Sequence, residues 1–231
     1  MNIAIILSGG VGSRMGINLP KQYVMVNCQP VINFCLKTFF ENEQTDVIVI
    51  GVADEWKEFV KENVAKLNPI KPIYYSRSGE TRQYSIYNAL KVLKKNGFTD
   101  NDIVLIHDAA RPLVGQDLIN RCYKGCNYAD GVMPVIPVKD TIYLSEDGKH
   151  IQSLLNRSQL WSGQAPEAFR FGKYLKVHDE MSRAELLKIN GSTELAFKAG
   201  LDCQMIEGEP INFKITTPED LSNFKAIIRK D

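Results

Sequence analysis

The chain has no apolar stretch approaching the ~20 residues that a membrane-spanning helix needs, so no membrane partner is expected. It also lacks an excess of charge. Its 28 basic and 27 acidic residues leave a net charge of +1, too little to draw the molecule to nucleic acid or an anionic surface. Any phosphate site must therefore be built locally. There is no Cys-x-x-Cys pair, and the five cysteines, Cys28, Cys35, Cys122, Cys126 and Cys203, form an odd, scattered set. That pattern argues against a disulfide scaffold and for a reduced, cytoplasmic setting. Histidine is scarce as well. His107, His150 and His178 are all remote in sequence from Cys122 and Cys126, which leaves that pair without further ligands for zinc. Repeats and low-complexity linkers are missing too. The apolar run 3–7 is short and has no basic residues before it, so it reads as a first strand and not as a targeting segment.

What is present is a rhythm. Short apolar runs at 2–8, 45–52, 70–75 and 102–107 alternate with helical periodicity at 30–41, 55–67, 81–95 and 116–128. The alternation predicts βαβ units, hence one α/β domain, 1–231, of Rossmann-like type with a twisted, mostly parallel sheet. From 131 the pattern breaks into short alternating pieces around a turn at Glu146, Asp147 and Gly148, which predicts a protruding β-hairpin arm over about 137–157. Such an arm gains little stability alone, so it packs either on its own domain or on a second subunit. Helices follow at 171–181 and 193–199, then a strand at 202–207. A last helix opens at Thr217-Pro218-Glu219, an N-cap with proline in the first helical position.

In a sheet of this kind ligands bind at the carboxyl ends of strands, and three segments of chemical interest follow strands. The first is Ser8-Gly9-Gly10-Val11-Gly12-Ser13-Arg14-Met15-Gly16, continued by Pro20-Lys21-Gln22-Tyr23. Its glycines let backbone N–H groups crowd an anion. It is not a P-loop, because no Gly-Lys-Ser/Thr follows, and it misses the G-x-G-x-x-G fingerprint by one residue. Arg14 and Lys21 add two cations, which suits a triphosphate better than a dinucleotide. The second segment is Ser78-Gly79-Glu80-Thr81-Arg82-Gln83-Tyr84-Ser85, where Gly79, Glu80 and Ser85 are suitable types for reading a pyrimidine. Glu80 equally fits a plain role at a helix N-terminus. The third is His107-Asp108-Ala109-Ala110-Arg111-Pro112, which sets an acid at a strand end beside an arginine, poised between metal and phosphate. His107 reads as structural.

The pattern Gly-Gly-x-Gly-x-Arg-Met-Gly followed by Pro-Lys-Gln-Tyr resembles the cytidylyltransferases that act on 2-C-methyl-D-erythritol 4-phosphate and on ribitol 5-phosphate, and the likeness spans nearly the whole chain. The resemblance implies transfer of CMP from CTP to a small polyol phosphate, with Mg2+ as cofactor and a homodimer as the assembly. It implies catalytic roles for Arg14, Lys21 and Lys214, and nucleotide binding by Ser8, Gly9, Gly10, Gly12, Gly79, Glu80, Ser85 and Asp108. Asp108 would also face the metal. Arg111, Thr141 and Arg157 would bind the acceptor, Arg157 reaching across from the neighbouring subunit. Read as residues alone, Arg157 also fits a solvated hairpin charge and Lys214 an ordinary surface lysine.

Two departures from the methylerythritol pattern fall on the acceptor side. Gln164-Ala165-Pro166-Glu167 stands where Gln-Thr-Pro-Gln is usual, and Asn190-Gly191-Ser192-Thr193-Glu194 where Thr-Asp-Asp or Thr-Asp-Glu is usual. Loss of a hydrogen-bonding hydroxyl costs on the order of 1 kcal/mol, enough to alter which polyol is preferred. Ribitol 5-phosphate or a similar polyol phosphate is therefore the expected acceptor, with methylerythritol 4-phosphate, and hence isoprenoid biosynthesis, as the alternative. Two other classes compete: a nicotinamide-dependent oxidoreductase, which lacks its acidic ribose anchor ~20 residues after the glycines, and a catalytically silent nucleotide-binding module.

Overall fold

A computed structural model of the chain describes residues 1–10 and 19–229. Strand β1 (Asn2–Leu7) is buried on both faces from Ile3 to Ile6, as a continuous apolar run requires inside a parallel sheet. A two-residue ladder of β2 (Met25–Val26) with β3 (Gln29–Pro30) leads into helix α1 (Val31–Glu41). Then β4 (Val47–Val52), α2 (Lys57–Ala65), β5 (Ile73–Arg77), α3 (Arg82–Lys95) and β6 (Ile103–Asp108) follow in the expected alternation. Strand β5 begins later than its apolar run suggests, because Ile70 is exposed between Pro69 and Pro72, which deprive that stretch of ladder donors.

β1 pairs in parallel with β4 on one side and β6 on the other, and β5 lies beyond β4. The chain thus runs outward from β1 through β4 to β5, and then returns to β6 across β1. The sheet is covered on both faces. Ala4, Ile6, Ile48 and Leu105 pack with α1, α2 and α4 (Gln116–Gly125), while Ile3, Ile5, Val49 and Val104 pack with α3 and α5 (Phe171–Glu180).

Beyond β6 the sheet departs from the expected pattern. Strand β7 (Gly131–Pro137) belongs to the main sheet, while β10 (Trp161–Gly163) and β11 (Glu167–Arg170) had no counterpart in the sequence reading. β11 inserts antiparallel between β6 and β7, and β12 (Cys203–Glu207) pairs in parallel with the far edge of β7. β11 escaped notice because four residues with charged ends show no alternation. The sheet has eight strands and is mostly parallel. The arm's own ladder, β8 (Tyr143–Leu144) with β9 (Ser153–Leu154), is only two residue pairs long and lies off the main sheet. Tyr143, Leu144, Ile151 and Leu154 on it are half or more exposed.

Short helices α6 (Arg183–Leu186) and α7 (Ser192–Lys198) lead to β12, and α8 (Pro218–Ile228) closes the described chain. The expected cap on α8 is present. Thr217 accepts from Asp220 N–H, and the Asp220 carboxylate accepts from the Thr216 and Thr217 N–H groups at 2.8 Å each. Lys71 performs a service that no local pattern signals. Its ammonium donates to the carbonyls of Phe39, Asn42 and Thr45, closing the exit of α1.

His107 and His178 are fully enclosed, and burial pushes both imidazole pKa values down to about 4. The unfolded chain titrates them near 6.5, so between roughly pH 6.5 and 4 it binds protons that the folded chain refuses, and stability falls as pH drops through that window. For His178→Gln, the stability difference between pH 7 and pH 4.5, from urea unfolding, is expected to shrink by about 2 kcal/mol. An unchanged difference would show that His178 does not titrate there.

Candidate active site

The crossover from β5 back to β6 makes the carboxyl ends of β1 and β6 a topological switch point, where loops diverge and leave a crevice. Leu7 and Asp108 are register partners at that end, so the glycine loop after β1 and the Asp108 carboxylate emerge side by side. The chain near Lys214 is fastened to the same place by the Ile215 N–H, which donates to the Ala110 carbonyl at 2.8 Å. A cavity of about 450 Å³ opens here, lined by Gly9, Gly10, Lys21, Gly79, Asp108 and Lys214 among others. A larger and more apolar cavity of about 950 Å³ lies at the base of the arm, between Val135, Trp161 and Met205. It has none of the cleft's charged cluster, and the smaller one is the candidate site.

The loops are held by their own sequence neighbours. The Gln22 amide donates to the carbonyls of Ser8 (2.6 Å) and Gly10 (2.8 Å), and the Tyr23 hydroxyl donates to Ser8 O at 2.9 Å. Gly9 must be glycine, since a Cβ there would lie 2.3 Å from Ser78 Cβ. Gly79 must be glycine for a similar reason, with Tyr84 Cβ at 2.3 Å. Its N–H donates to Ser85 Oγ at 3.0 Å, and that hydroxyl donates on to the Thr81 carbonyl at 3.0 Å. Thr81 in turn caps α3, accepting from Tyr84 N–H.

Asp108 is the electrostatic centre. Its Oδ2 accepts from Lys214 Nζ at 2.8 Å, with Arg111 Nε at 3.7 Å, and its Oδ1 faces Arg82 Nε at 3.3 Å. Burial alone would raise its pKa, but Arg82, Lys214 and Arg111 overcome that and hold the carboxyl well below the usual range. It is therefore an anion at every working pH. His107 next to it is neutral; its Nε2 lies 3.0 Å from the Arg111 carbonyl, which fixes the proton on that nitrogen. A structural histidine is the result.

Of the residues singled out in the sequence, Gly9, Gly10, Lys21, Gly79, Glu80, Ser85, Asp108 and Lys214 share the cleft. Gly12 and Arg14 lie outside the described residues. Three of the expected residues have side chains engaged within the protein. Ser8 is buried and donates its hydroxyl to the Gly51 carbonyl at 2.8 Å, so it supports the loop instead of facing a ligand. The Glu80 carboxylate is engaged by the Arg183 guanidinium at 2.9 to 3.1 Å, which leaves the Glu80 backbone as its contribution to the cleft. Arg111 does not line the cleft; it donates to the Asn212 carbonyl at 2.7 Å and pairs with Asp108 from behind. Thr141 and Arg157 do meet, but in a separate hollow of about 410 Å³ on the arm, where Arg157 donates to the Lys139 carbonyl at 2.9 Å. Arg82, which also lines the cleft, pairs with Glu167, and neither was singled out in the sequence. Their signal exists only in the fold, which brings residues 85 positions apart within 3.3 Å.

Comparison with known proteins gives the family. Residues 2–230 match the family model of 2-C-methyl-D-erythritol 4-phosphate cytidylyltransferase. This chain belongs to that family. It is 36% identical over 218 residues to the 2-C-methyl-D-erythritol 4-phosphate cytidylyltransferase of Clostridium beijerinckii, covering 94% of each chain. It is 33% identical to the ribitol-5-phosphate cytidylyltransferase of Vibrio parahaemolyticus, over 99% of this chain and 96% of that one. The crystal structure of the Francisella tularensis 2-C-methyl-D-erythritol 4-phosphate cytidylyltransferase superposes with a TM-score of 0.80 at 27% identity, over 97% of this chain and 99% of that chain. The protein is thus a CTP-dependent cytidylyltransferase, and the oxidoreductase and silent-module readings fall away.

Cytidylyltransferases of this family use a divalent metal. Among the described residues no three metal-ligating side chains cluster, which rules out a zinc-type cage there. A single ionised carboxylate beside a backbone cradle instead fits a hard cation that takes one protein oxygen and completes its shell with phosphate oxygens and water. Asp108 is the side chain that would hold it.

Adding a methyl group at Gly79 should displace the loop against Tyr84. Gly79→Ala is expected to lower kcat/KM for CTP roughly tenfold or more, because small misplacements at a reaction centre carry large rate penalties. Steady-state kinetics would check it, and wild-type values would show that the loop position is not critical.

Proposed function

We propose that this cytidylyltransferase moves CMP from CTP onto ribitol 5-phosphate or a similar polyol phosphate. The observation that supports the site is the convergence of Lys21, Lys214 and Asp108 with Gly9, Gly10 and Gly79 in one cleft at the switch point. The acceptor's phosphate oxygen attacks the α-phosphorus of CTP in line. A new P–O bond forms as the bond to the β-phosphate oxygen breaks, and pyrophosphate leaves with that electron pair. No protein nucleophile is required, because the attacking monoester is already an anion. Lys21 and Lys214, with Arg14, oppose charge that grows on the phosphates, while the backbone at Gly9, Gly10 and Gly12 cradles the triphosphate. The loop at Gly79, Glu80 and Ser85 receives the cytosine. A divalent cation, Mg2+ in this reading, would supply further charge neutralisation on the phosphates.

Two features support this acceptor over methylerythritol 4-phosphate: Ala165 offers no hydroxyl, and the Ser192 hydroxyl already accepts from Arg82. Methylerythritol 4-phosphate is the second reading, favoured by the name of the family model and of the Clostridium relative. With CTP and Mg2+, pyrophosphate release is expected to be fastest with ribitol 5-phosphate in a panel of polyol phosphates. A clear preference for methylerythritol 4-phosphate would transfer the enzyme to the second reading.

The arm supports a shared site. Its two-pair ladder carries exposed Tyr143, Leu144 and Leu154, and its Thr141 and Arg157 lie apart from the cleft of their own chain. A homodimer whose arm brings Thr141 and Arg157 to the partner's cleft, where Arg111 stands behind Asp108, uses both facts. No helix among the described residues is long and apolar enough to cross a membrane, and five free thiols suit the cytoplasm. Lys21→Ala and Arg157→Ala are each expected to lower turnover roughly 10²-fold, and mixing them after demonstrated subunit exchange should restore about one quarter of the wild-type activity per site. Activity that stays at the level of the separate variants would place the arm on its own subunit.

A further inference from the structure

Arg82 stands between two carboxylates. Its Nε is 3.3 Å from Asp108 Oδ1 and its Nη2 is 3.3 Å from Glu167 Oε1, while Nη1 donates to the Ser192 hydroxyl. All three charged side chains are largely enclosed, at 23%, 12% and 11% exposure for Arg82, Asp108 and Glu167. The two carboxylates are not equivalent. The Glu167 Oε2 accepts from Thr193 N–H at 2.8 Å and from Thr193 Oγ1 at 2.9 Å, so Glu167 is fixed from its far side as well. Asp108 instead lines the cleft, and its remaining partners, Lys214 within the cleft and Arg111 behind it, are cations too. Both Asp108 oxygens thus face protein cations, and any metal must compete with them.

We propose that Glu167 is a positioning residue: by sharing Arg82 with Asp108, it draws the guanidinium back and leaves the Asp108 carboxylate available to a divalent cation when nucleotide binds. The inference rests on the reading of the cleft as the site of transfer. Enclosed charges attract strongly, and a guanidinium with one carboxylate removed turns its whole attraction on the other. Glu167→Gln keeps the shape and the bonds to Thr193 but removes that counterweight.

The test is Mn2+ binding in the presence of a saturating α,β-methylene analogue of CTP, read from the electron paramagnetic resonance signal of free Mn2+. Glu167→Gln is expected to weaken Mn2+ about tenfold, the scale of one charge pair. Adding Arg82→Met to Glu167→Gln should bring the affinity back to within roughly threefold of wild type, since the competing cation is gone and the two changes are coupled. If Glu167 only stabilised the fold, the second substitution would deepen the loss. Unchanged Mn2+ affinity in Glu167→Gln, or a double variant weaker than the single one, overturns the proposal. Asp108→Asn tests the underlying reading separately. Wild-type Mn2+ affinity there removes the site assignment and this inference with it, whereas loss at Asp108 without loss at Glu167 overturns only the inference.

Discussion

An enclosed carboxylate surrounded by three cations is the interaction on which this site depends. Asp108 alone would be neutralised by burial, and Arg82, Arg111 and Lys214 alone would repel one another. Together they form a cluster that stays ionised, and each member fixes the next. Arg82 comes from the start of α3, Arg111 from the turn after β6, and Lys214 from the segment before α8. The charge cluster is therefore also the joint where three distant parts of the chain meet.

The fold holds that joint from several sides, although His107 Nδ1, Arg111 Nε and Asn212 Oδ1 beside it have no hydrogen-bond partner among the described residues. β1 and β6 place Leu7 and Asp108 in register, and the Ala109 N–H donates to the Leu7 carbonyl at 3.0 Å. Gln22 and Tyr23 then hold the glycine loop from below. β11 brings Glu167 in from the other direction, and Asn212 links Arg111 to the Ala165 carbonyl. The loops after β1 and β6 and the segments around Glu167 and Lys214 are thus braced against one sheet. Such bracing suits the transfer proposed above, whose rate comes from position and charge.

Much of this was legible in the chain itself, and the parts that were not share a cause. The alternating units, the capped α8, and the glycine, lysine and aspartate stations are local patterns, written within ten or so residues. The antiparallel insertion of β11 and the Arg82–Glu167 pair are not local. Four residues with no periodicity become a strand only because β6 and β7 offer an open channel between them. In sequence Arg82 is one charge at a helix start and Lys71 one charge between two prolines; their partners are supplied by the tertiary fold. Ser8 and Glu80 show the opposite case. Each has a chemical type suited to a ligand, yet each is already bonded within the protein. Type and loop position reveal what a residue is able to bind, while packing decides whether it is free to do so.

The absence of clearance between Gly9 and Ser78 has a consequence for how this protein is able to change over time. With only 2.3 Å between a would-be Cβ at position 9 and the Ser78 Cβ, the two loops share one space. A side chain gained at position 9 is tolerable only in a background where position 78 has already become smaller. The loop that follows β1 and the loop that follows β5 are thereby tied into a single evolutionary unit, in which the order of substitutions is dictated by volume before chemistry is consulted.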